Sequence, residues 1–391
     1  MSASAATKRI LIFRPGSLGD TLVTLPMFHL LARRFPAADK RVLCYRPTGS
    51  VYASLKSVLD GTNLVQGYFE VDFHRVRHEL RAQLELRRQL RSWQPDLLVY
   101  LTSPRSLPRL LAEVMFFKSC GIRRIAGVTY AKSLREYRWI PEQQTFEHEA
   151  ERIARAIGEL GDPRLGDPRS WDLRLAPIER ARADAAVRDS IGDRDFLVFA
   201  AGTAMDVKDW GEDNWRKLTG RLASVAGGYG LALVGAEADR ARSETLARVW
   251  PGPSLNLCGK FTPRENAALM ELATLFVGHD SGPMHLAAAI GLPCVAIFSA
   301  HNKPGAWFPF GQGHRVIYHQ VQCYDCGLER CERYAKKCIA SITVEEVLEA
   351  AAGLLSRAEQ DRAGAALPRS AAGTLASYDG AAAKPVKQRH A

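Results

Sequence analysis

The amino-acid sequence predicts an α/β protein made of two nucleotide-fold halves that face each other across a cleft. Three observations carry that expectation. Two segments roughly 260 residues apart, RILIFRPGSLGDTLVTLP (9–26) and LFVGHDSGPMHLAAAIGLPCVAIF (275–298), share one plan. Each runs from a continuous apolar stretch through a polar, glycine-containing turn into a helix start, which is how a parallel sheet builds a polar site at the carboxyl end of its strands. Short apolar runs alternate with helical patterns along the chain, as expected for a mostly parallel sheet. A stretch rich in Gly, Pro, Asp and Arg (160–178) then interrupts the alternation, after which it restarts;.

RILIF (9–13) reads as a buried strand and TLVTLPMFHLLARRF (21–35) as a helix with Leu22, Leu25, Phe28 and Leu31 on one face;. Pro26 is expected to kink that helix or to close its first turn;. RVLCY (41–45) is the second strand, VYASLKSVL (51–59) a short helix and LVQGYFEV (64–71) another strand region. Residues 74–93 form a long basic amphipathic helix carrying Leu80, Leu84 and Leu90;. PDLLVYL (95–101) and RIAGV (124–128) are strands flanking the helix RLLAEVMFFKSCG.

In the second half FLVFAAG (196–202), LALVGA (231–236), LFVGHD (275–280) and PCVAIF (293–298) are strands, with SLNLCG (254–259) between the second and the third. NWRKLTGRLASVA, ADRARSETLARVW, PRENAALMELA and PMHLAAAIG are the helices between them. The last helix is ITVEEVLEAAAGLLSRA (342–358), with Thr343 as N-cap and Glu346 closing a capping box;. These elements divide the chain into an N-terminal domain (1–170) and a C-terminal domain (171–357). Residues 358–391, rich in Ala, Gly, Ser, Lys and Arg without periodicity, are expected to be a disordered tail;.

With 391 residues the chain is long enough for two substantial cores;. No stretch approaches the length of uncharged apolar sequence that a membrane span needs, and no apolar signal core precedes the first strand;. A cytoplasmic protein is therefore the expectation. The net charge of +11 is lopsided: residues 1–175 hold 28 Lys+Arg against 18 Asp+Glu, the remainder 25 against 24. Arg75, Arg77, Arg81, Arg87, Arg88 and Arg91 form one cluster, and Arg105, Arg109, Arg123, Arg124, Arg135 and Arg138 extend it. Such a surface suits phosphates of a lipid head group, a membrane face or nucleic acid; a solvated Arg-rich face explains it equally well.

Of eight cysteines, Cys44, Cys120, Cys258 and Cys294 sit in apolar or mixed contexts, as small buried hydrophobes do;. The others form Cys323-x2-Cys326-x4-Cys331-x6-Cys338. Four thiols this close are open to a structural metal or to reduced packed side chains; a secreted disulfide framework does not fit a chain this long.

The motifs resemble glycosyltransferase family 9, the bacterial ADP-heptose:lipopolysaccharide heptosyltransferases, over roughly residues 8–350. The resemblance rests on RPGSLGD followed by TLVTLP, and on CGKFTPRENAALMELATLFVGHDSGPMHLAAAIGLPCVAIF, the more specific of the two blocks. It implies the GT-B architecture, two Rossmann-like domains with an interdomain active site, and an inverting transfer that uses no metal or other cofactor. It implies a nucleotide-sugar donor, ADP-heptose, and an anionic, lipid-linked or lipopolysaccharide-core acceptor reached at the inner face of a membrane. Nucleic acid is not an expected partner.

Residue by residue, Asp20 closes the first polar turn. An inverting transfer needs a base for the acceptor hydroxyl, and a carboxylate on this turn can reach the cleft. On the sequence alone the N-cap is the favoured reading of Asp20, at the start of a helix; the resemblance favours the base. Gly16 and Gly19 let backbone approach a ligand, or only make the turn. The resemblance puts Arg14 and Ser17 on the acceptor side. After the first strand of the second half, Thr203 offers a hydroxyl and Lys208 a charge for a diphosphate. Ala204 departs from the hydroxyl residue common in the family. Glu237 is expected to hold the donor ribose, although an acidic residue in a first helical turn is also common. Asp280, Ser281, Gly282, Pro283, Met284 and His285 make the densest cluster, with turn amides for the diphosphate, Asp280 for sugar hydroxyls and His285 one turn along the helix.

Two rivals remain at this point. One is a nucleotide-sugar enzyme of the same fold with a different donor or with epimerase chemistry. The other, ranked last because no nucleic-acid motif is present, is a basic nucleic-acid-binding protein. A nicotinamide-dependent dehydrogenase is disfavoured, because GSLGD lacks the G-x-G-x-x-G spacing.

Overall fold

The fold is described from a computed structural model, which covers residues 7–46 and 54–365. Two parallel sheets form it. The first has the order β3-β2-β1-β4-β5, with β1 at Arg9–Phe13, β2 at Asp39–Tyr45, β3 at Gly67–Val71, β4 at Leu97–Tyr100 and β5 at Arg124–Ala126. A two-stranded antiparallel hairpin follows, β6 at Trp139–Ile140 and β7 at Thr145–Phe146. The second sheet has the order β10-β9-β8-β11-β12-β13. Its strands are β8 at Phe196–Ala200, β9 at Gly230–Leu233, β10 at Ser254–Asn256, β11 at Leu275–His279, β12 at Cys294–Phe298 and β13 at Arg315–Tyr318.

Both orders are those of a doubly wound sheet, whose switch point lies where the first strand meets the fourth. In the first sheet that point is β1 beside β4; in the second it is β8 beside β11. The turns leaving β1, β8 and β11 are therefore the ones the topology brings to the crevice. They are the RPGSLGD, AAGTAMDVK and DSG segments. The central strands β1, β4, β8, β11 and β12 are buried along almost their whole length, which explains their continuous apolar runs;.

Local details differ from the sequence expectation. The helix expected over 21–35 is two helices, Leu18–Leu22 and Leu25–Arg34, and Pro26 sits in the first turn of the second. A proline there meets an amide position that needs no helical partner, so it starts a helix instead of kinking one. The long basic helix divides at Glu79 into Phe73–His78 and Leu80–Trp93. Its core face is carried by Leu86 and Leu90, while Leu80 and Leu84 are exposed. The terminal helix spans Val344–Ala365, past the expected end at 358, so residues 359–365 of the expected disordered tail are helical; 366–391 lie outside the described residues. Its N-terminus has the expected capping box: Glu346 N–H donates to Thr343 Oγ1 at 3.2 Å and Thr343 N–H to Glu346 Oε2 at 2.8 Å.

The two halves are held together by polar and apolar contacts. Arg264 is almost fully buried and donates across the junction to Val58 O at 3.0 Å, while Leu173 O at 2.8 Å and Glu179 hold it within its own half. Phe146 N–H donates to Pro304 O and Glu149 N–H to Ala306 O, so the hairpin and the helix Glu149–Ala156 grip the segment after β12. One hydrophobic cluster runs from Ile10, Phe28 and Leu97 to Phe196, Met284 and Phe298. No helix among the described residues is long and apolar enough to cross a membrane.

Candidate functional site

β1 delivers the chain into the turn that carries Asp20. Ser17 is the N-cap of the helix Leu18–Leu22, and Asp20 is its third residue, inside the helix and not at the cap. Its carboxylate is held from three directions: Ser17 N–H at 2.8 Å and Ser17 Oγ at 2.9 Å on Oδ2, and Arg14 Nη2 at 3.0 Å on Oδ1. A carboxylate has about four lone-pair directions, so capacity remains toward the open side. The side chain is 21% exposed.

Arg14 is not at the acceptor surface, as the resemblance implied, because it has no exposed area. Its guanidinium spends its donors on Leu101 O at 2.7 Å, on Asp20 O at 2.9 Å and on Asp20 Oδ1. A planar fork with fixed donors locks the carboxylate and the turn at once. Burial pulls the Arg14 pKa below its ordinary value, opposed by Asp20.

Across the cleft, Lys208 Nζ lies 2.7 Å from Asp280 Oδ2, both largely buried. Lys208 ends the short turn of helix Asp206–Lys208 after β8; Asp280 immediately follows β11. His285 Nε2 is 3.9 Å from Asp280 Oδ1. Burial, more than any neighbouring charge, lowers its pKa to about 4, so the ring is neutral at physiological pH. Its neighbour His148 is lowered to about 3 by burial and then by His285.

These groups open onto one space of about 420 Å3. Ser17, Asp20, Lys208, Asp280, Ser281 and His285 line it, with Gly19 and Gly282. The first half thus contributes a carboxylate, and the second half a lysine–carboxylate pair and the N-terminus of the helix Gly282–Ala289. The positive end of a helix behind a cation suits a diphosphate.

Other members of the expected set fall elsewhere. Met284 is fully buried and its side chain is core. Pro283 has no N–H to offer and serves as the second residue of the helix;. Thr203 follows β8 but is not in the cleft lining; its Oγ1 accepts from Met205 N–H at 3.4 Å. Glu237 lies outside this lining too. It follows β9 and pairs with Arg240 at 2.6 Å, and its side chain is 64% exposed, as the first-turn alternative expects.

The cleft also holds residues that sequence reasoning missed: Ser103, Tyr137, Asn302, Lys303, Trp307 and Asp325. Lys303 pairs with Asp325, bringing a second cation to the donor side. Ser103 follows β4 and Asn302–Lys303 follow β12, so the carboxyl-end rule for parallel strands was a signal that could have found them;. Tyr137 carried no such signal, since it arrives through an irregular segment before β6.

Cys323, Cys326, Cys331 and Cys338 line a separate cavity of about 180 Å3 with His301 and Val207. Among the described residues no group of three or more His, Cys, Asp or Glu is arranged to hold a metal ion. All eight cysteines are unpaired, and Cys44, Cys120, Cys258 and Cys294 are buried, as the contexts suggested.

The family model for glycosyltransferase family 9 (heptosyltransferase) matches residues 57–336. The chain is 27% identical over 348 residues to lipopolysaccharide heptosyltransferase 3 of Escherichia coli (strain K12), covering 86% of this chain and 95% of the relative. It is 30% identical over 345 residues to lipopolysaccharide heptosyltransferase 1 of Pseudomonas aeruginosa, covering 83% and 87%. Among solved structures, a family 9 glycosyl transferase from Veillonella parvula superposes with a TM-score of 0.66 at 18% identity, covering 90% of this chain and 98% of that one. The ADP-heptose lps heptosyltransferase II of E. coli superposes with a TM-score of 0.61 at 20% identity, covering 90% and 99%. These superpositions show the two-domain GT-B fold that the two doubly wound sheets already indicated. The chain belongs to glycosyltransferase family 9 and is a transferase enzyme of that family.

Proposed function

We propose that this enzyme transfers a heptose from ADP-heptose, with inversion, onto an anionic lipopolysaccharide-core acceptor at the cytoplasmic face of a membrane. The observation that carries the proposal is the single cleft in which Asp20 of one half faces the Lys208–Asp280 pair of the other. Relatives named as lipopolysaccharide heptosyltransferases supply the donor and acceptor class.

In this reading the diphosphate lies against Lys208, Lys303, Ser281 and the amides at the start of helix Gly282–Ala289. Those groups are in place before charge develops on the departing nucleoside diphosphate, which is where electrostatic stabilisation is most effective. Asp280, already paired with Lys208, accepts from sugar hydroxyls, and neutral His285 borders the same sugar. Asp20 takes the acceptor proton as the hydroxyl oxygen attacks the anomeric carbon from the face opposite the leaving group. One C–O bond forms, the bond to the diphosphate breaks, and the configuration inverts. Arg14 and Ser17 hold the carboxylate in position from behind. Thr203 and Glu237 remain candidates for the donor's phosphate and ribose at the ends of β8 and β9, Glu237 only after leaving Arg240.

Calorimetric titration with ADP-, UDP- and GDP-linked sugars, paired with a transfer assay, tests the proposal. Asp20→Asn should keep ADP-heptose affinity and lose transfer by 10²-fold or more, while Lys208→Ala weakens donor binding. Preference for a UDP or GDP sugar, release of free sugar without transfer, or full activity in Asp20→Asn would overturn it.

A further inference from the structure

The first half carries a second cavity, on the opposite face of the turn that holds Asp20. It measures about 490 Å3 and lies between the first sheet and the helices that cover it. Phe13, Leu43, Phe73, Leu86, Phe116 and Phe117 make its walls. Arg77 and Arg109, both exposed, are the cations among its lining residues. Pro15 lines this cavity and Ser17, two residues on, lines the cleft, so the two spaces are separated by a single turn of chain.

The surface around the mouth is apolar where a soluble protein would place polar groups. Leu80 and Leu84 on one covering helix, and Leu107, Leu111 and Met115 on the next (Leu107–Ser119), are 41–71% exposed. Each set repeats at four-residue intervals, so each is one stripe of its helix. The helices are neighbours: Arg87 Nε donates to Ser119 O at 3.1 Å. Farther along the first stripe the apolar residues give way to Arg88 and Arg91, both exposed. Residues 73–93 hold six arginines against two glutamates. Grouped exposed leucines rimmed by cations mark an interaction surface, and arginines beside anionic head groups add electrostatic attraction.

Resting on the heptosyltransferase reading above, we propose that this two-helix face docks on an anionic bilayer and that the cavity takes one acyl chain of an anionic membrane lipid. The chemistry is that of an interfacial amphipathic surface: leucine and methionine side chains enter the head-group boundary while arginines meet phosphates. With the chain in the cavity, the head group lies at the Pro15–Ser17 turn, beside Asp20. The acceptor is thereby brought to the base along the membrane plane and not from bulk water.

The test uses the full chain and three readouts. Flotation with phosphatidylglycerol/phosphatidylethanolamine vesicles should recover the protein, and pure phosphatidylcholine vesicles should not. Leu84→Asp/Met115→Asp should cut recovery about tenfold or more, and 0.5 M salt should weaken the wild type, as expected for mixed apolar and electrostatic attachment. Ala112→Trp, which fills the cavity from its lining, should abolish the fluorescence gain of a cis-parinaric acid probe. Both variants should transfer sugar to a deacylated, water-soluble acceptor at the wild-type rate. Wild-type transfer to that acceptor with no vesicle recovery would overturn this inference and leave the function standing. Vesicle recovery that the variants do not change, or a variant-induced change in oligomeric state in place of lost recovery, would overturn it as well. Vesicle binding lost in the double variant, with no transfer to any acceptor in the wild type, would uphold the docking face and overturn the heptosyltransferase reading.

Discussion

Gly19 and His285 meet across the floor of the cleft: a Cβ built on Gly19 would lie 2.7 Å from the imidazole Cδ2. The reciprocal contact is Gly282 against Leu18, where a Cβ would lie 2.6 Å from Leu18 Cδ2. Two helix starts, one from each half, approach this closely because each presents a glycine to the other's side chain. Gly19 was read in the sequence as room for a ligand or as part of the turn, and Gly282 as part of a turn; both leave room for the opposite half.

Gly19→Ala should therefore act through His285. The added methyl pushes the ring, and with it the Asp280 neighbourhood, away from its place. The expected result is a fall in kcat/KM of about tenfold or more, with a loss of stability of about 1–3 kcal/mol typical of overpacking. Gly19→Ala/His285→Ala should recover most of the stability in thermal melts. Equal stability in Gly19→Ala and wild type would show that the contact is slack.

Arg14→Lys keeps a charge and loses the fork. Lysine cannot serve Leu101 O, Asp20 O and Asp20 Oδ1 together;. We expect kcat to fall 10- to 100-fold with donor affinity unchanged by calorimetry, since Arg14 positions Asp20 and does not touch the cleft. Arg14→Ala should also lower stability by about 3 kcal/mol, because buried acceptors are left without donors.

Lys208 and Asp280 form a buried pair, so the single and double variants should not add. Removing either partner strands a charge and is expected to destabilise by about 3–5 kcal/mol, whereas Lys208→Met/Asp280→Leu should be milder. Chemical denaturation of the three variants measures this directly. Additive losses would mean that the pair is water-screened despite its burial.

Three buried histidines set the acid limit of the fold. His148 is lowered to about 3 and His279 and His285 to about 4, in each case mainly by burial. Two of them accept hydrogen bonds that require a neutral ring: His148 Nδ1 accepts from Ala150 N–H, and His279 Nε2 accepts from Trp210 N–H and Trp215 Nε1. Each folded value lies below the unfolded value of about 6.5, so the unfolded chain binds these protons first. Stability is full above pH 6.5 and is lost as pH falls toward 4. Each ring contributes a loss of roughly 2 kcal/mol by pH 5. Melting temperature should fall steeply between pH 6.5 and 5, and His148→Gln should flatten the slope by about one proton.

What the sequence made legible was whatever depends on the carboxyl ends of parallel strands. Asp20, Lys208 and Asp280, singled out on turns after apolar runs with roles taken from the resemblance, all line the one cleft. Arg14 was put on the acceptor side by the resemblance alone, and nothing local says that its donors will all be used inside. Met284 was misplaced because a motif is read as a unit, although successive helix residues point to different faces. Glu237 sat beside Arg240, three residues on, and that pairing is local enough to have been anticipated. Tyr137 and Asp325 come from loops that reach the cleft through long-range folding, with no periodic signal to announce them. The break at Glu79 was hidden because both sides of it share one basic amphipathic composition.

The continuous core that joins Ile10 and Phe28 to Met284 and Phe298 has a consequence for how the molecule can be taken apart. An enzyme whose halves met only through polar loops could be cut at the junction, or fitted with a foreign donor half, and each piece would stay soluble. Here a cut would bare apolar side chains on both fragments and take Val58 O away from the buried Arg264. Chimeras between relatives should therefore exchange the helices Leu18–Leu22, Pro263–Glu271 and Gly282–Ala289 together, as one inherited block, and not whole domains along the chain.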